Sequence, residues 1–188
     1  MALRSNHYDA AMEEYLRSRC VPYVAVDETR RAVLADQSLK SLDFIIETPG
    51  PNLLVDVKGR RFGGTAGRWE NWATLDDVTS MRRWETVFGP QFRAALVFAY
   101  AVEDGEDQAP AGFEPFEWGG RRYLFAAAML ADYAAACHER SAAWGTVSVA
   151  RATFRRFHFP LHALLDGDPD TVAIAEAAQC DPPTIDDE

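Results

Sequence analysis

Lysine is nearly absent from this chain: 17 of its 19 basic residues are arginine, and only Lys40 and Lys58 are lysine. Cysteine is scarce too, with Cys20, Cys137 and Cys180 far apart in sequence, no Cys-x-x-Cys pair and no histidine cluster of zinc-ligand spacing. Such spacing excludes a disulfide framework and a structural zinc site, and points to a reduced, cytoplasmic setting. No apolar run approaches the roughly 20 residues of a membrane span, and Met1-Ala2-Leu3-Arg4-Ser5-Asn6-His7 lacks the apolar stretch of a signal peptide, so no membrane partner is expected. A Gly-rich phosphate loop and a Gly-x-Ser-x-Gly elbow are also missing. His158 and His162 are spaced as a helical pair, but Pro160 between them argues against that helix.

What remains is a chain of 188 residues, 48% hydrophobic, long enough for one well-cored domain expected over residues 1–165. Residues 166–188 read as an acidic, Pro-containing tail, partly disordered, with eight acids and no Lys or Arg. The net charge of −10 argues at face value against a polyanionic partner. Its distribution softens the objection. Without that tail and the six acids of residues 103–117, the rest holds 19 bases against 15 acids, with Arg pairs at 60–61, 82–83, 121–122 and 155–156.

Two apolar runs carry the chemistry. Leu42-Asp43-Phe44-Ile45-Ile46 and Leu53-Leu54-Val55-Asp56-Val57-Lys58-Gly59 flank the turn-forming string Thr48-Pro49-Gly50-Pro51-Asn52, which reads as a β-hairpin. Asp56 and Lys58 are two apart and project from one strand face. If the loop is Thr48 to Pro51, Glu47 faces Asn52 and Asp43 faces Asp56, so both carboxylates and the ammonium share a side; a five-residue loop separates them. A hard divalent cation takes carboxylate oxygens, waters and a phosphate oxygen, while the lysine orients or deprotonates water. The plain alternative makes Asp43 a capping acid and Asp56–Lys58 a solvated ion pair of small energy. Lysine scarcity weighs against that alternative, because a compact ammonium does what a planar, always-charged guanidinium does not. Both lysines fall in this region, which makes Lys40, Arg60 and Arg61 candidate substrate-binding residues.

Elsewhere, a helix is expected from Ser5 or Asn6 to about Arg19, with Tyr8, Met12, Tyr15 and Leu16 as its apolar stripe. Asp9 and Glu13 lie beside the stripe and are candidate site acids, although Asn6-x-x-Asp9 also fits a capping box. Residues 23–27 read as a strand, Thr74-x-x-Asp77 as the start of a helix reaching Gly89, and residues 92–102 as a buried strand. Beyond these come a strand over 122–129, a helix over 130–139, and short strands over 146–149 and 153–159. Trp69, Trp72 and Trp84 read as core or rim aromatics rather than base-stacking platforms.

The resulting order, helix-strand-strand-strand-helix-strand with Asp43 and Asp56-x-Lys58 on the second and third strands, resembles the PD-(D/E)XK nuclease superfamily over roughly residues 6–102. Leu42 stands where that pattern often has proline, and Asp56 where it more often has glutamate. The string His7-Tyr8-Asp9-Ala10-Ala11-Met12-Glu13 is also similar to the signature of the uncharacterised HYExAFE proteins, with Asp9 for Glu and Met12 for Phe. The resemblance implies an α/β fold with a restriction-endonuclease-like core, a mixed central sheet flanked by helices, and C-terminal α/β additions. It further implies a nuclease using Mg²⁺ or Mn²⁺ held by Asp43, Asp56 and Glu13, with Lys58 and Asp9 completing the catalytic set. Nucleic acid, DNA in the first place, is the implied partner, and a homodimer is compatible with it. The competing expectation is a catalytically inactive version of the fold that binds nucleic acid or protein.

Overall fold

The computed structural model describes residues 6–27, 32–34, 37–63, 69–102 and 109–180. Its helices are α1 (His7–Ser18), α2 (Leu75–Phe88), α3 (Leu130–Ala136), α4 (Arg151–Phe157), α5 (Leu161–Leu165) and α6 (Pro169–Ala177). The strands are β1 (Tyr23–Ala25), β2 (Ala32–Leu34), β3 (Gln37–Leu39), β4 (Phe44–Ile46), β5 (Asn52–Phe62), β6 (Ala73–Thr74), β7 (Phe92–Val102), β8 (Phe116–Trp118), β9 (Arg121–Met129), β10 (His138–Ser141), β11 (Thr146–Ser148) and β12 (Phe159–Pro160). Among the described residues, seven strands form a mixed, open central sheet in the order β1-β4-β5-β7-β9-β12, with β8 also on β9.

Helices cover both faces of that sheet. Ala11, Met12, Tyr15 and Leu16 of α1 pack with Phe44, Ile46, Val55 and Val57, joined by Leu161, Leu164 and Ala175 from α5 and α6. On the other face Val78 and Met81 of α2 pack with Leu54, Leu96 and Phe98, joined by Tyr133 of α3 and Phe154 of α4. Strand parity explains the division, since alternate side chains of β5 enter opposite cores. β7 is buried on both faces and pairs in parallel with β5 from Asn52↔Phe92 to Phe62↔Val102, the crossover being α2.

The β4–β5 hairpin adopts the four-residue-loop register: Phe44 pairs with Val55, Ile45 with Leu54 and Ile46 with Leu53. Thr48 closes the loop, its hydroxyl donating to Pro51 O at 2.8 Å and accepting from Gly50 N at 3.1 Å. A second sheet, β10-β11-β6, is tied to the chain before β6 by Asn71. The Asn71 amide mimics a strand edge, donating to Val149 O at 3.0 Å and accepting from Val149 N at 2.9 Å.

Several segments differ from expectation. Residues 151–157 are the helix α4, because Phe154 fills the core while Arg151, Arg155 and Arg156 stay outside; a short apolar run reads equally well as helix or strand. The helix expected over 130–139 stops at Ala136, and residues 138–141 pair with β11. Residues 32–34 and 37–39 form a hairpin within what reads as a polar connection. Part of the expected tail is helix α6, capped by Asp168 accepting from Thr171 N at 2.9 Å, with Thr171 and Ala175 buried. Glu85 secures the segment after it, accepting from Cys180 N at 2.8 Å and Ala94 N at 2.6 Å. Residues 181–188 of that expected tail lie outside the described residues.

α1 docks on β5 at Gly59, where a Cβ would overlap the Cδ2 edge of the Tyr8 ring. Gly59→Ala is therefore expected to cost about 1–3 kcal/mol by overpacking, seen as a lower melting temperature. Adding Tyr8→Ala should recover most of that loss; a melting temperature unchanged by Gly59→Ala would show that the close approach is not needed.

Candidate active site

Asp56, Lys58 and Arg60 share the β5 parity of Leu54 and Phe62, so all three point toward α2. All are buried, Asp56 at only 3% exposure. The Lys58 ammonium lies 2.6 Å from Asp56 Oδ2 and 2.8 Å from Asp77 Oδ2. Lys40 Nζ pairs with Asp77 Oδ1 and stands 4.0 Å from Asp56 Oδ1. Two carboxylates and two ammoniums thus face one another in a charge-balanced quartet between β5 and the first turn of α2.

Asp77 is the member that the sequence showed only as a helix cap. It fulfils that role as well: Thr74 N donates to Asp77 Oδ2 at 2.8 Å, and Asp77 N donates to Thr74 Oγ at 3.0 Å. The cap geometry turns the carboxylate inward at the positive end of α2, where the helix dipole favours an anion. The available signal was its place on the crossover helix that follows the Asp-x-Lys strand.

The two carboxyls are driven in opposite directions. Burial disfavours the Asp77 charge, yet Lys58 and Lys40 together hold its pKa well below the ordinary carboxylate range. For Asp56, complete burial prevails with help from the Asp77 charge, and its pKa is raised despite the two lysines. Burial also opposes the Lys40 charge, but Asp56 and Asp77 outweigh it and hold the ammonium above its usual value. Carboxyls whose pKa values are pushed apart in one buried site are characteristic of acid–base centres, and also of structural ion-pair networks.

Asp43 sits where the hairpin splays. Its N–H donates to Val55 O at 2.8 Å, its C=O accepts from Val26 N at 2.9 Å, and its Oδ2 accepts from Val57 N at 2.6 Å. The β4–β5 ladder ends at Phe44↔Val55, one residue short of an Asp43–Asp56 pair, and the Asp43 carboxylate instead caps the β5 backbone at Val57. Lys40 is held by α2, its N–H donating to Ser80 Oγ at 3.2 Å and its C=O accepting from Trp84 Nε1 at 2.8 Å.

Other expected residues lie elsewhere. α1 covers the opposite sheet face, and Asp9 and Glu13 are not ion partners of either lysine, whose partners are Asp56 and Asp77. Asp9 is buried, while Glu13 accepts from Arg17 at 2.9 Å and from the Tyr23 hydroxyl at 3.0 Å. A helical wheel tells which side of α1 meets the sheet but not which face of the sheet it meets. Arg60 turns inward: its guanidinium donates to Gly59 O at 2.6 Å and to Trp72 O, and lies 3.7 Å from the Trp72 ring centroid. Arg61 is exposed and lines a cleft of about 360 Å³ with Tyr8, Gly59 and Trp72.

Among the described residues, no three His, Cys, Asp or Glu side chains converge as a ready metal cage. The oxygen set nevertheless suits a hard divalent ion, which commonly takes one or two carboxylates and completes its shell with water and phosphate. Asp56 Oδ2 is buried and faces the Lys58 ammonium at 2.6 Å, so a divalent ion at this oxygen would have to share it with Lys58 or displace it. Lys40 stands in the position that such an ion would compete for. No family model matches the chain, and no curated protein matches it. Among the described residues, no helix is long and apolar enough to cross a membrane.

Proposed function

We propose that this chain is a divalent-metal-dependent nuclease on a restriction-endonuclease-like core, hydrolysing phosphodiester bonds in DNA. The observation that supports this reading is Asp56 and Lys58, buried side by side on one face of β5, with the Asp43 carboxylate held against the same strand at Val57 N. Asp56 and Asp43 would hold Mg²⁺ or Mn²⁺, which supplies Lewis acidity at the scissile phosphate. Lys58 Nζ, kept in place by Asp77, donates hydrogen bonds to the attacking water or to a non-bridging phosphate oxygen. The Lys40 side chain is 39% exposed and can turn from the carboxylates to an incoming phosphate. Asp9 and Glu13, across the sheet, have no part in this scheme.

One observation favours a second reading. The quartet is already neutral, each ammonium having a carboxylate partner, which is what a noncatalytic binding module would keep as a structural network. Melting curves in Mn²⁺ separate the two. At roughly 100 times its Kd, a metal bound only by the folded state adds about 2.7 kcal/mol and raises the melting temperature by several degrees. Wild type should show that rise and Asp56→Asn should not, while Lys40→Met should reach it at lower Mn²⁺. Flat curves in wild type and Lys40→Met, together with no cleavage of supercoiled, linear, single-stranded or branched DNA or of RNA, would sink the nuclease reading.

A further inference from the structure

We propose that Trp72 and Trp144, with Arg61 and Arg140, form a stacking track for single-stranded nucleic acid beside the quartet; as a statement of substrate class this rests on the nuclease reading. Trp144 is 80% exposed, on a 3₁₀ turn (Ala142–Trp144) closed by Gly145 in the left-handed region at φ 53°. The turn is anchored, since Leu75 N at the start of α2 donates to Gly145 O at 2.8 Å. Trp72 and Trp144 line a cleft of about 510 Å³ with Arg140 and Thr74, the residue that caps α2 together with Asp77. Trp72 also lines the neighbouring cleft that holds Arg61, so the two clefts share a wall.

Trp72 is pre-set as a platform. The buried Arg60 guanidinium lies 3.7 Å from its ring centroid, and Arg140 lies 5.3 Å from it. A fixed aromatic, an exposed aromatic and exposed cations are the elements that hold unpaired bases, whose π-faces a duplex hides within its own stack. The track is not uniformly basic, because Glu70 lines the second cleft and Glu139 precedes Arg140, both exposed. Stacking therefore carries most of the hold. With Arg61 and Arg140 as the phosphate contacts, the slope of log K against log salt should be shallow, about −1.4 for a single strand.

Tryptophan fluorescence quenching tests this in EDTA, where no cleavage occurs, with short oligothymidylate, oligouridylate and a duplex of equal length. The expected result is quenching by a single strand, about tenfold weaker binding of the duplex, and a 5- to 150-fold loss in Trp144→Ala at an unchanged melting temperature. The DNA and RNA arms assign the sugar. Equal binding of wild type and Trp144→Ala, equal binding of duplex and single strand, or Trp144-dependent self-association without quenching overturns the track. Cleavage in Mn²⁺ without quenching removes the track and leaves the nuclease reading, whereas quenching without any cleavage removes the nuclease reading and leaves the track.

Discussion

Lys58→Ala should cut the single-turnover cleavage rate in saturating Mn²⁺ by about 10²–10⁴-fold, the usual contribution of a positioned proton-transfer or hydrogen-bonding group. The variant also leaves Asp56 and Asp77 facing each other with one ammonium fewer, so a loss of stability accompanies the loss of rate. Lys58→Arg separates the two effects. It restores a positive charge and should recover part of the melting temperature, yet a planar fork does not place one donor where the ammonium does, so the rate should stay low. A cleavage rate equal to wild type in Lys58→Ala would assign the activity to a contaminant.

Asp77→Ala should be the most destabilising single change in the site. It strips Lys58 and Lys40 of a shared partner in a place where Asp77 is only 2% exposed, at a cost of roughly 3–5 kcal/mol. It also removes a capping interaction at the start of α2, roughly another 1 kcal/mol. Together these correspond to a fall in melting temperature of about 10–20 °C for a domain of this size. Asp77→Asn, which keeps an acceptor for Thr74 N, should fall less. The pH dependence has a definite sign: a depressed folded pKa gives stability that is fully present above the unfolded carboxyl value of roughly 4 and is lost as pH falls through the depressed folded value. The gap between wild type and Asp77→Ala should therefore be full at neutral pH and narrow only in strong acid. Asp56, with its pKa raised, works in the opposite sense, gaining protons earlier in the folded state as pH falls. A gap that stays constant into strong acid would show that the Asp77 charge is not the source.

The parts of this structure that sequence made legible are those governed by local rules. Turn chemistry at Thr48–Pro51 narrowed the hairpin to a four- or a five-residue loop, of which the structure takes the first, and Thr74-x-x-Asp77 sufficed for the start of α2. The site itself was only half legible. Asp77 reads as a cap because capping is a local property, whereas its contact with Lys58 depends on where the crossover helix lands on the sheet. Asp9 and Glu13 lie beside an apolar stripe, but the sheet face that stripe would cover depends on long-range packing. The helix α6 had its own signals, Asp168 at the cap and Pro169 in the first turn, outweighed by the acidity of the surrounding composition.

The way Lys40 is tethered bears on the speed of opening. Its backbone is fastened to α2 through Ser80 and Trp84, so for Lys40 to leave the carboxylates takes only rotation about the bonds of one partly exposed side chain, while Lys58 stays on both. Rotamer changes in exposed side chains take picoseconds to nanoseconds, against microseconds to milliseconds for domain motions. On the nuclease reading, the Lys40 step of ligand entry would thus be separated from the slow motions of the fold.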